Sequence, residues 1–188
     1  MDEELRPLAP DLSSFISDGE PPIVFTPGTA MKHADRFFQA SIQASMELGR
    51  RALLITRYPD QLPHRLPDGV AKATYVPFQT VLPRCAALVH HGGIGTAAQA
   101  LAAGIPQLVR PMAFDQPDNA ARLERLGVAS SIRPDHYQAP AVARALSDLL
   151  ESKVVSEKCQ LYSSKIDRLS GLFATCDAIE TASGFSAA

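Results

Sequence analysis

Short apolar runs alternate along the chain with longer segments in which apolar residues recur at helical spacing. The apolar runs predict strands at residues 21–26, 52–56, 73–76, 86–89, between 104 and 114, and at 128–132. The helical stripes predict helices at residues 33–50, 96–103, 117–126, 139–152 and onward to about 179. Strands that alternate with helices in this way predict a Rossmann-like α/β domain, in which helices flank both faces of a parallel sheet.

The distribution of prolines and secondary-structure signals divides the chain into three parts. Residues 1–20 contain Pro7 and Pro10 and run into Pro21-Pro22, so we predict an interdomain linker with one short helix. Residues 21–180 carry the strands and helices and are predicted to form a single domain with one core. Residues 181–188 are predicted to be a flexible tail.

Composition and charge narrow the classes of partner. The net charge of −2 gives no support for nucleic-acid binding. No apolar run approaches the length of a membrane span, and the acidic, polar start of the chain does not resemble a secretory signal. The three cysteines have no metal-ligand spacing, which favours reduced thiols. We therefore expect a cytoplasmic location.

The sequence His-His-Gly-Gly-Ile-Gly-Thr at 90–96 stands between a predicted strand and a predicted helix. Its glycines allow a sharp turn and a close approach of the backbone to a ligand. Unpaired amides from Gly93 to Thr96, with a histidine at the strand tip, suit the charge of a diphosphate. A turn that only packs the helix against the strand is the alternative. A metal site is disfavoured, because neighbouring strand residues point to opposite faces and no third ligand has suitable spacing.

Other polar or glycine-bearing loops follow predicted strands, and loops after parallel strands open at one edge of the sheet. Gly28 and Thr29, after the first strand, either approach a phosphate or form an ordinary turn. Tyr75 and Phe78, at the end of the third strand, either stack on a nucleobase or belong to the core. Gln99, one turn into the helix after the glycine motif, either binds a ribose or faces solvent.

Asp115 and Gln116 follow an apolar strand and a loop. A carboxylate beside an amide suits the vicinal hydroxyls of a sugar, because the carboxylate accepts hydrogen bonds and the amide both donates and accepts them. Asp115 is also suited to cap the helix that begins near Pro117, and the two roles are compatible. Together with the diphosphate motif, this pair predicts a nucleotide-sugar site.

Five features occur in order along the chain: Val76-Pro77, the motif at 90–96, Gln99, the turn at 103–106 and Asp115-Gln116. In this combination the chain resembles the C-terminal, donor-binding half of GT-B glycosyltransferases of the UDP-glycosyltransferase superfamily, especially bacterial macrolide, sterol and rhamnosyl transferases. The resemblance extends from about Leu12 to about Leu150. It implies that the α/β domain is one half of a GT-B fold.

The resemblance also implies a role for each matched residue. Positions similar to those that contact the donor diphosphate are Gly28, Thr29, His91, Gly93, Ile94, Gly95 and Thr96. Positions similar to those around the base and ribose are Tyr75, Val76, Phe78 and Gln99. The pair that holds the sugar hydroxyls corresponds to Asp115 and Gln116. One departure is that many relatives carry a glutamate where this chain has Gln99.

Members of this family have an N-terminal domain that holds most of the acceptor site and the catalytic base, a histidine supported by an aspartate. No histidine of this chain matches that base, so no catalytic residue is expected here, and the isolated chain is expected to bind donor without turnover. The implied parent reaction is inverting transfer from a UDP- or TDP-sugar to a hydroxyl of a lipid, sterol or natural product. Because no Asp-x-Asp occurs, no metal is expected to be required, and no cofactor is expected.

The resemblance implies a partner, either an N-terminal acceptor domain or a separate subunit. The chain looks like a fragment cut at a domain boundary, and a natural single-domain product is the alternative. Two other functions stay open. One is the donor subunit of a split, two-chain glycosyltransferase, and the other is a non-catalytic nucleotide-sugar-binding module. The full enzyme is expected to be capable of peripheral membrane association.

Overall fold

A six-stranded parallel sheet forms the centre of the protein. The structure, a computed structural model, describes residues 8–166 and 168–183. The strands are β1 Ile23–Thr26, β2 Ala52–Ile55, β3 Val70–Ala73, β4 Ala87–His90, β5 Gln107–Val109 and β6 Ala129–Ser131. Their order in the sheet is β3-β2-β1-β4-β5-β6, and every neighbouring pair is parallel. The order reverses between β1 and β4, which is where open α/β sheets bind ligands.

Helices cover both faces of the sheet, as the sequence predicted. They are α1 Pro10–Ser17, α2 Asp35–Glu47, α3 Phe78–Val81, α4 Ile94–Ala103, α5 Gln116–Leu126, α6 Ala139–Glu151, α7 Lys153–Ser163 and α8 Arg168–Ser183. Alternate residues of a strand enter opposite cores: Phe25 packs with α2 and α6, whereas Val24 packs with α1, α3 and α4. A third cluster joins α4, α5 and α7. Strands buried on both faces explain why the apolar runs are continuous rather than alternating.

The third strand lies three residues earlier than the predicted 73–76. Strand β3 begins immediately after Gly69, whose positive φ of 77° ends the preceding loop, and its last paired residue is Ala73. It is an edge strand with a partly exposed, mixed sequence, so it lacks the apolar run that marked the inner strands. Tyr75 and Val76 therefore lie in a loop before α3, not at the end of a strand.

A short helix occurs in the predicted N-terminal linker, as expected, and the last helix extends into the predicted tail. Helix α1 lies within the segment predicted to be a linker, but Ile16 is buried in the core beneath the sheet. Arg51 holds α1 in place by donating to the carbonyls of Phe15 and Asp18. Helix α8 extends to Ser183, so the first three residues of the predicted tail are helical, and 184–188 lie outside the described residues.

Candidate functional site

The ring of His91 lies between two glycine loops at the carboxyl edge of the sheet. A Cβ atom on Gly28 would stand 2.9 Å from both Cε1 and Nδ1 of this ring, and one on Gly93 would stand 2.6 Å from Nε2. Only glycine leaves room for the imidazole at these two positions, and Gly28 also has a positive φ of 97°. The loops after β1 and β4 thus hold the His91 ring on both sides.

The electrostatic environment of His91 favours its neutral form. Burial lowers its pKa, and the carboxylate of Asp115 opposes that shift. Its Nδ1 is buried and has no hydrogen-bond partner among the described residues. A neutral, half-buried imidazole gains a proton most readily when an anion arrives beside it. These features are compatible with phosphate binding by His91, which stays a prediction.

The neighbouring His90 has a different, structural role. It is fully buried, and its Nδ1 accepts a hydrogen bond from the backbone N–H of Gly92 at 3.1 Å. Nε2 must therefore carry the proton, which it donates to Oε1 of Gln107 at 2.9 Å. Burial lowers the pKa of His90 to about 4, so the ring stays neutral near pH 7. The pair Gln107–His90 fixes the Gly92 turn that presents His91.

Helix α4 begins at this turn and directs its first amides to the same edge. Gly93 is its N-cap, and the first intrahelical bond runs from the N–H of Ala97 to the carbonyl of Gly93 at 3.0 Å. The amides of Ile94, Gly95 and Thr96 thus have no acceptor within the helix, and the helix dipole makes this end positive. The helix thus begins two residues earlier than the predicted Thr96, and its first amides directly follow the His91 loop.

The predicted sugar-binding pair lies at the start of α5. Gln116 Oε1 accepts from the backbone N–H groups of Met112 at 2.8 Å and Ala113 at 3.2 Å, so this oxygen shapes the loop after β5. Asp115 is exposed, and its Oδ2 accepts from Asn119 Nδ2 at 2.7 Å. The carboxylate therefore faces solvent from a fixed position. Because Oε1 of Gln116 is used within the loop, the amide NH2 of its side chain is the group suited to contact a ligand.

A pocket of about 250 Å³ brings together the residues predicted to surround the base and ribose. Tyr75 is 42% exposed and offers a ring face, whereas Val76 is buried and supports the pocket from below. The predicted residues in its lining are Thr29, Tyr75, Val76, Phe78 and Gln99. Among the described residues, Arg57 is the one charged side chain that lines it, and it was not predicted from the sequence. Its position immediately after β2 was the available signal.

Two further residues of the site were not assigned a role from the sequence. Asn119 donates from Nδ2 both to Asp115 and to the carbonyl of Gly92, at 2.9 Å. Its spacing of four residues from Asp115 on a helix was the available signal. Arg110 follows β5 and lies over the rings of Phe37 and Tyr137. Phe37, Arg110 and Tyr137 lie in three distant segments of the chain, so no local pattern in the sequence indicates their contact.

The described residues contain neither a membrane-spanning helix nor a metal-binding cluster. Within 8–166 and 168–183, no helix is both long enough and apolar enough to cross a bilayer. In the same ranges, no group of three or more His, Cys, Asp or Glu side chains is placed to hold a metal ion.

Fold and site together define a Rossmann-type α/β domain with a glycine-rich turn and unpaired helix amides at its switch point. Comparison with known families gives a more specific assignment. Residues 53–166 match the model of the erythromycin biosynthesis protein CIII-like C-terminal domain. The chain belongs to this family, which confirms the resemblance to the C-terminal half of macrolide-type GT-B glycosyltransferases.

Individual relatives agree with this assignment. The chain is 37% identical over 123 residues to O-mycaminosyltylonolide 6-deoxyallosyltransferase of Streptomyces fradiae, a match that covers 65% of this chain and 28% of the relative. The calicheamicin glycosyltransferase CalG4 superposes with a TM-score of 0.77 at 25% identity, covering 97% of this chain and 45% of that one. The spinosyn rhamnosyltransferase SpnG, complexed with thymidine diphosphate, gives 0.69 at 24% identity, covering 78% and 41%. This chain thus spans less than half the length of these relatives.

Proposed function

We propose that this chain is the donor-binding half of an inverting glycosyltransferase and that its carboxyl edge binds a UDP- or TDP-sugar. The observation that carries the proposal is the position of His91, held between Gly28 and Gly93 at the N-terminus of α4. A half-buried imidazole beside unpaired helix amides is a site for a multiply charged anion.

The diphosphate lies across the His91 turn in this proposal. The amides of Ile94, Gly95 and Thr96 donate to its oxygens, and the hydroxyls of Thr29 and Thr96 add hydrogen bonds. His91 becomes protonated as it binds, because the phosphate supplies the negative charge that the free site lacks. These fixed donors also stabilise the charge that develops when the diphosphate leaves the sugar, so the donor needs no metal ion at this site.

The base and the sugar occupy opposite ends of the same edge. The base stacks on Tyr75 in the pocket after β3, and the ribose lies near Gln99, which lines the same pocket. The sugar lies beyond β4, where Asp115 accepts hydrogen bonds from its hydroxyls and the side-chain amide NH2 of Gln116 donates hydrogen bonds to them. The complex of the similar SpnG with thymidine diphosphate supports a thymidine nucleotide as one of the two candidate donors.

The catalytic base and the acceptor site belong to the other half of the enzyme. The relatives are more than twice as long as the part that this chain matches. The acceptor is a hydroxyl-bearing lipid, sterol or natural product, held by an N-terminal domain or a partner subunit. The isolated chain accordingly binds donor but does not transfer sugar.

Calorimetric titration of the chain with UDP, TDP, UDP-glucose and TDP-rhamnose tests the proposal. We expect at least one to bind and His91→Ala to weaken that binding about tenfold, which is the loss of one charge-assisted hydrogen bond. Absence of binding to all four ligands would overturn the donor site. A second assay follows glycosyl transfer by the purified chain alone, with a radiolabelled donor and mixed hydroxyl acceptors. Detectable transfer would overturn the proposal that the catalytic base lies in the other half of the enzyme.

A further inference from the structure

Arg110 and His91 follow the neighbouring strands β5 and β4 at the carboxyl edge of the sheet. His90 and Val109 are the last pair in the register of β4 and β5, and His91 and Arg110 are the residues that directly follow them. The backbone N–H of Arg110 donates to the carbonyl of His90 at 2.8 Å, which continues the ladder to this point. Both residues therefore follow neighbouring strands at the same edge of the sheet.

The guanidinium of Arg110 is held by aromatic rings. It lies 5.4 Å from the centroid of Tyr137 and 6.0 Å from that of Phe37. These two rings stack on each other with centroids 5.0 Å apart, and the Tyr137 hydroxyl is hydrogen-bonded to Ser41 at 2.9 Å. A cation over such a fixed platform has little freedom, so Arg110 is preorganised.

This preorganised cation has no anionic partner among the described residues. No carboxylate of residues 8–166 or 168–183 forms an ion pair with Arg110. Its Nε is buried without a hydrogen-bond partner, and its Nη1 lies 2.8 Å from Sδ of Met112, a weak acceptor. Burial lowers the pKa of Arg110, which reflects the cost of holding a charge there unpaired. An anionic ligand at this edge would offset that cost.

The order of the strands indicates which part of the donor meets Arg110. Along the carboxyl edge, the base pocket follows β3 and β2, the Thr29 loop follows β1, His91 follows β4 and Arg110 follows β5. A donor that runs from base to sugar along this edge therefore passes His91 before Arg110. The group between the first phosphate and the sugar is the β-phosphate.

We propose that Arg110 is a second cationic contact for the β-phosphate of the donor, on the sugar side of His91; this rests on the proposed function. When the bond between the sugar C1 and the β-phosphate oxygen breaks, its electron pair stays on that oxygen. The acceptor oxygen forms the new bond to C1 and loses its proton to the base in the other half of the enzyme. Arg110 stabilises the charge on the departing oxygen.

Titrations with TDP and with thymidine monophosphate test this contact, because the two ligands differ by the β-phosphate. We expect Arg110→Gln to weaken TDP binding about tenfold and to change monophosphate binding less than about twofold. The loss of TDP affinity in Arg110→Lys should be intermediate, because lysine keeps the charge but lacks the planar guanidinium group. The matched control is Arg122→Gln, which removes an exposed arginine paired with Asp118 on α5 and should change neither affinity.

Equal losses for the two ligands, or unchanged TDP affinity in Arg110→Gln, would overturn the contact. A second measurement avoids dependence on the folding of a variant: the Arg110 Nε–Hε resonance of the wild-type chain should shift with TDP and not with the monophosphate. If TDP binding is weakened by His91→Ala but not by Arg110→Gln, only the Arg110 inference fails. If TDP does not bind the wild-type chain, the proposed function fails with it.

Discussion

Asn119 is hydrogen-bonded to Asp115, with Nδ2 of the amide 2.7 Å from Oδ2 of the carboxylate. The same Nδ2 donates to the backbone carbonyl of Gly92 at 2.9 Å. One amide group therefore joins the segment after β5, which carries the carboxylate proposed to bind the sugar, to the loop after β4, which carries His91. The two parts of the proposed donor site are held at a fixed separation by this bridge.

Replacement of Asn119 by alanine should uncouple the two loops. We expect the free energy of unfolding to fall by about 1 kcal/mol, the usual size of such a hydrogen bond. Affinity for TDP-rhamnose should fall more than affinity for TDP, because the sugar end loses its oriented carboxylate. Urea unfolding and calorimetry measure the two effects. Gln43→Ala is the control, since Gln43 makes a similar amide–carboxylate hydrogen bond to Glu47 at 3.1 Å on α2. An equal loss of TDP and TDP-rhamnose affinity in Asn119→Ala would contradict the proposed bridge.

The glycine at position 93 should be required for binding rather than for folding. In Gly93→Ala the new Cβ would stand 2.6 Å from His91 Nε2, so the ring must turn away from the diphosphate. We expect TDP affinity to drop about tenfold, as for loss of the His91 contact, with little change in the urea midpoint. Gly171→Ala on α8 is the control, because nothing lies within 4 Å of its Cβ position and it is not part of the proposed site. Unchanged TDP affinity in Gly93→Ala would show that the His91 position does not matter.

Binding of a nucleotide sugar should weaken as pH rises. Burial lowers the pKa of His91 in the free chain, and a bound diphosphate raises it, so the complex holds more proton than the free site. Affinity is then greatest below the pKa of the free site and declines as pH rises through the pKa of the complex. Titration with TDP-glucose from pH 5 to 8 checks this, because its diphosphate has no monoester group that titrates there. His91→Ala should flatten the dependence of TDP-glucose affinity on pH. An equally steep dependence in that variant would show that a group other than His91 takes up the proton.

The stability of the free domain should fall at acid pH because of His90. Its pKa in the folded chain is about 4, against an ordinary value of 6.5, so the unfolded chain binds the proton first. Stability is complete above about 6.5 and is lost as pH falls toward 4, by roughly 3 kcal/mol in total. Urea unfolding from pH 7 to 4.5 measures the loss.

Two comparisons isolate the contribution of His90. His90→Gln should show a shallower loss than the wild type, whereas His136→Gln, which removes an exposed histidine, should keep the full dependence. In the wild-type chain the ring resonances of His90 should not titrate until pH is near 4. A ring that titrates near 6.5 would contradict the buried, neutral state.

Local patterns in the sequence predicted the inner strands, the long helices and the motif turn, because each depends on residues close together in the chain. Strand β3 was misplaced, since an edge strand is only half buried and its apolar pattern is weak. The function of His91 was predicted, but not its position between Gly28 and Gly93. That position depends on the pairing of β1 with β4, which are separated by two strands and two helices in the sequence.

The charged residues of the site were the hardest to assign from the sequence. The guanidinium of Arg110 is held in place because the rings of Phe37 and Tyr137 lie against it, and these residues come from α2 and from the segment before α6. Arg57 lines the base pocket only because β2 lies beside β3 in the sheet. Contacts between distant segments follow from strand order, which periodicity does not encode.

Phe114, immediately before Asp115, should destabilise the free domain. It has a φ of 60°, unusual for an aromatic residue, and its side chain is 94% exposed, so no packing offsets the strained backbone. Phe114→Gly and Phe114→Ala both remove the ring, but only glycine adopts this φ without cost. We expect the glycine variant to be more stable than the alanine variant by up to about 1 kcal/mol in urea unfolding, because a relief of 1–2 kcal/mol is partly offset by the entropy of glycine in the unfolded chain. A more stable alanine variant would show that this loop relaxes to an ordinary conformation in solution, and Asp115 would then lack the fixed approach that the site requires.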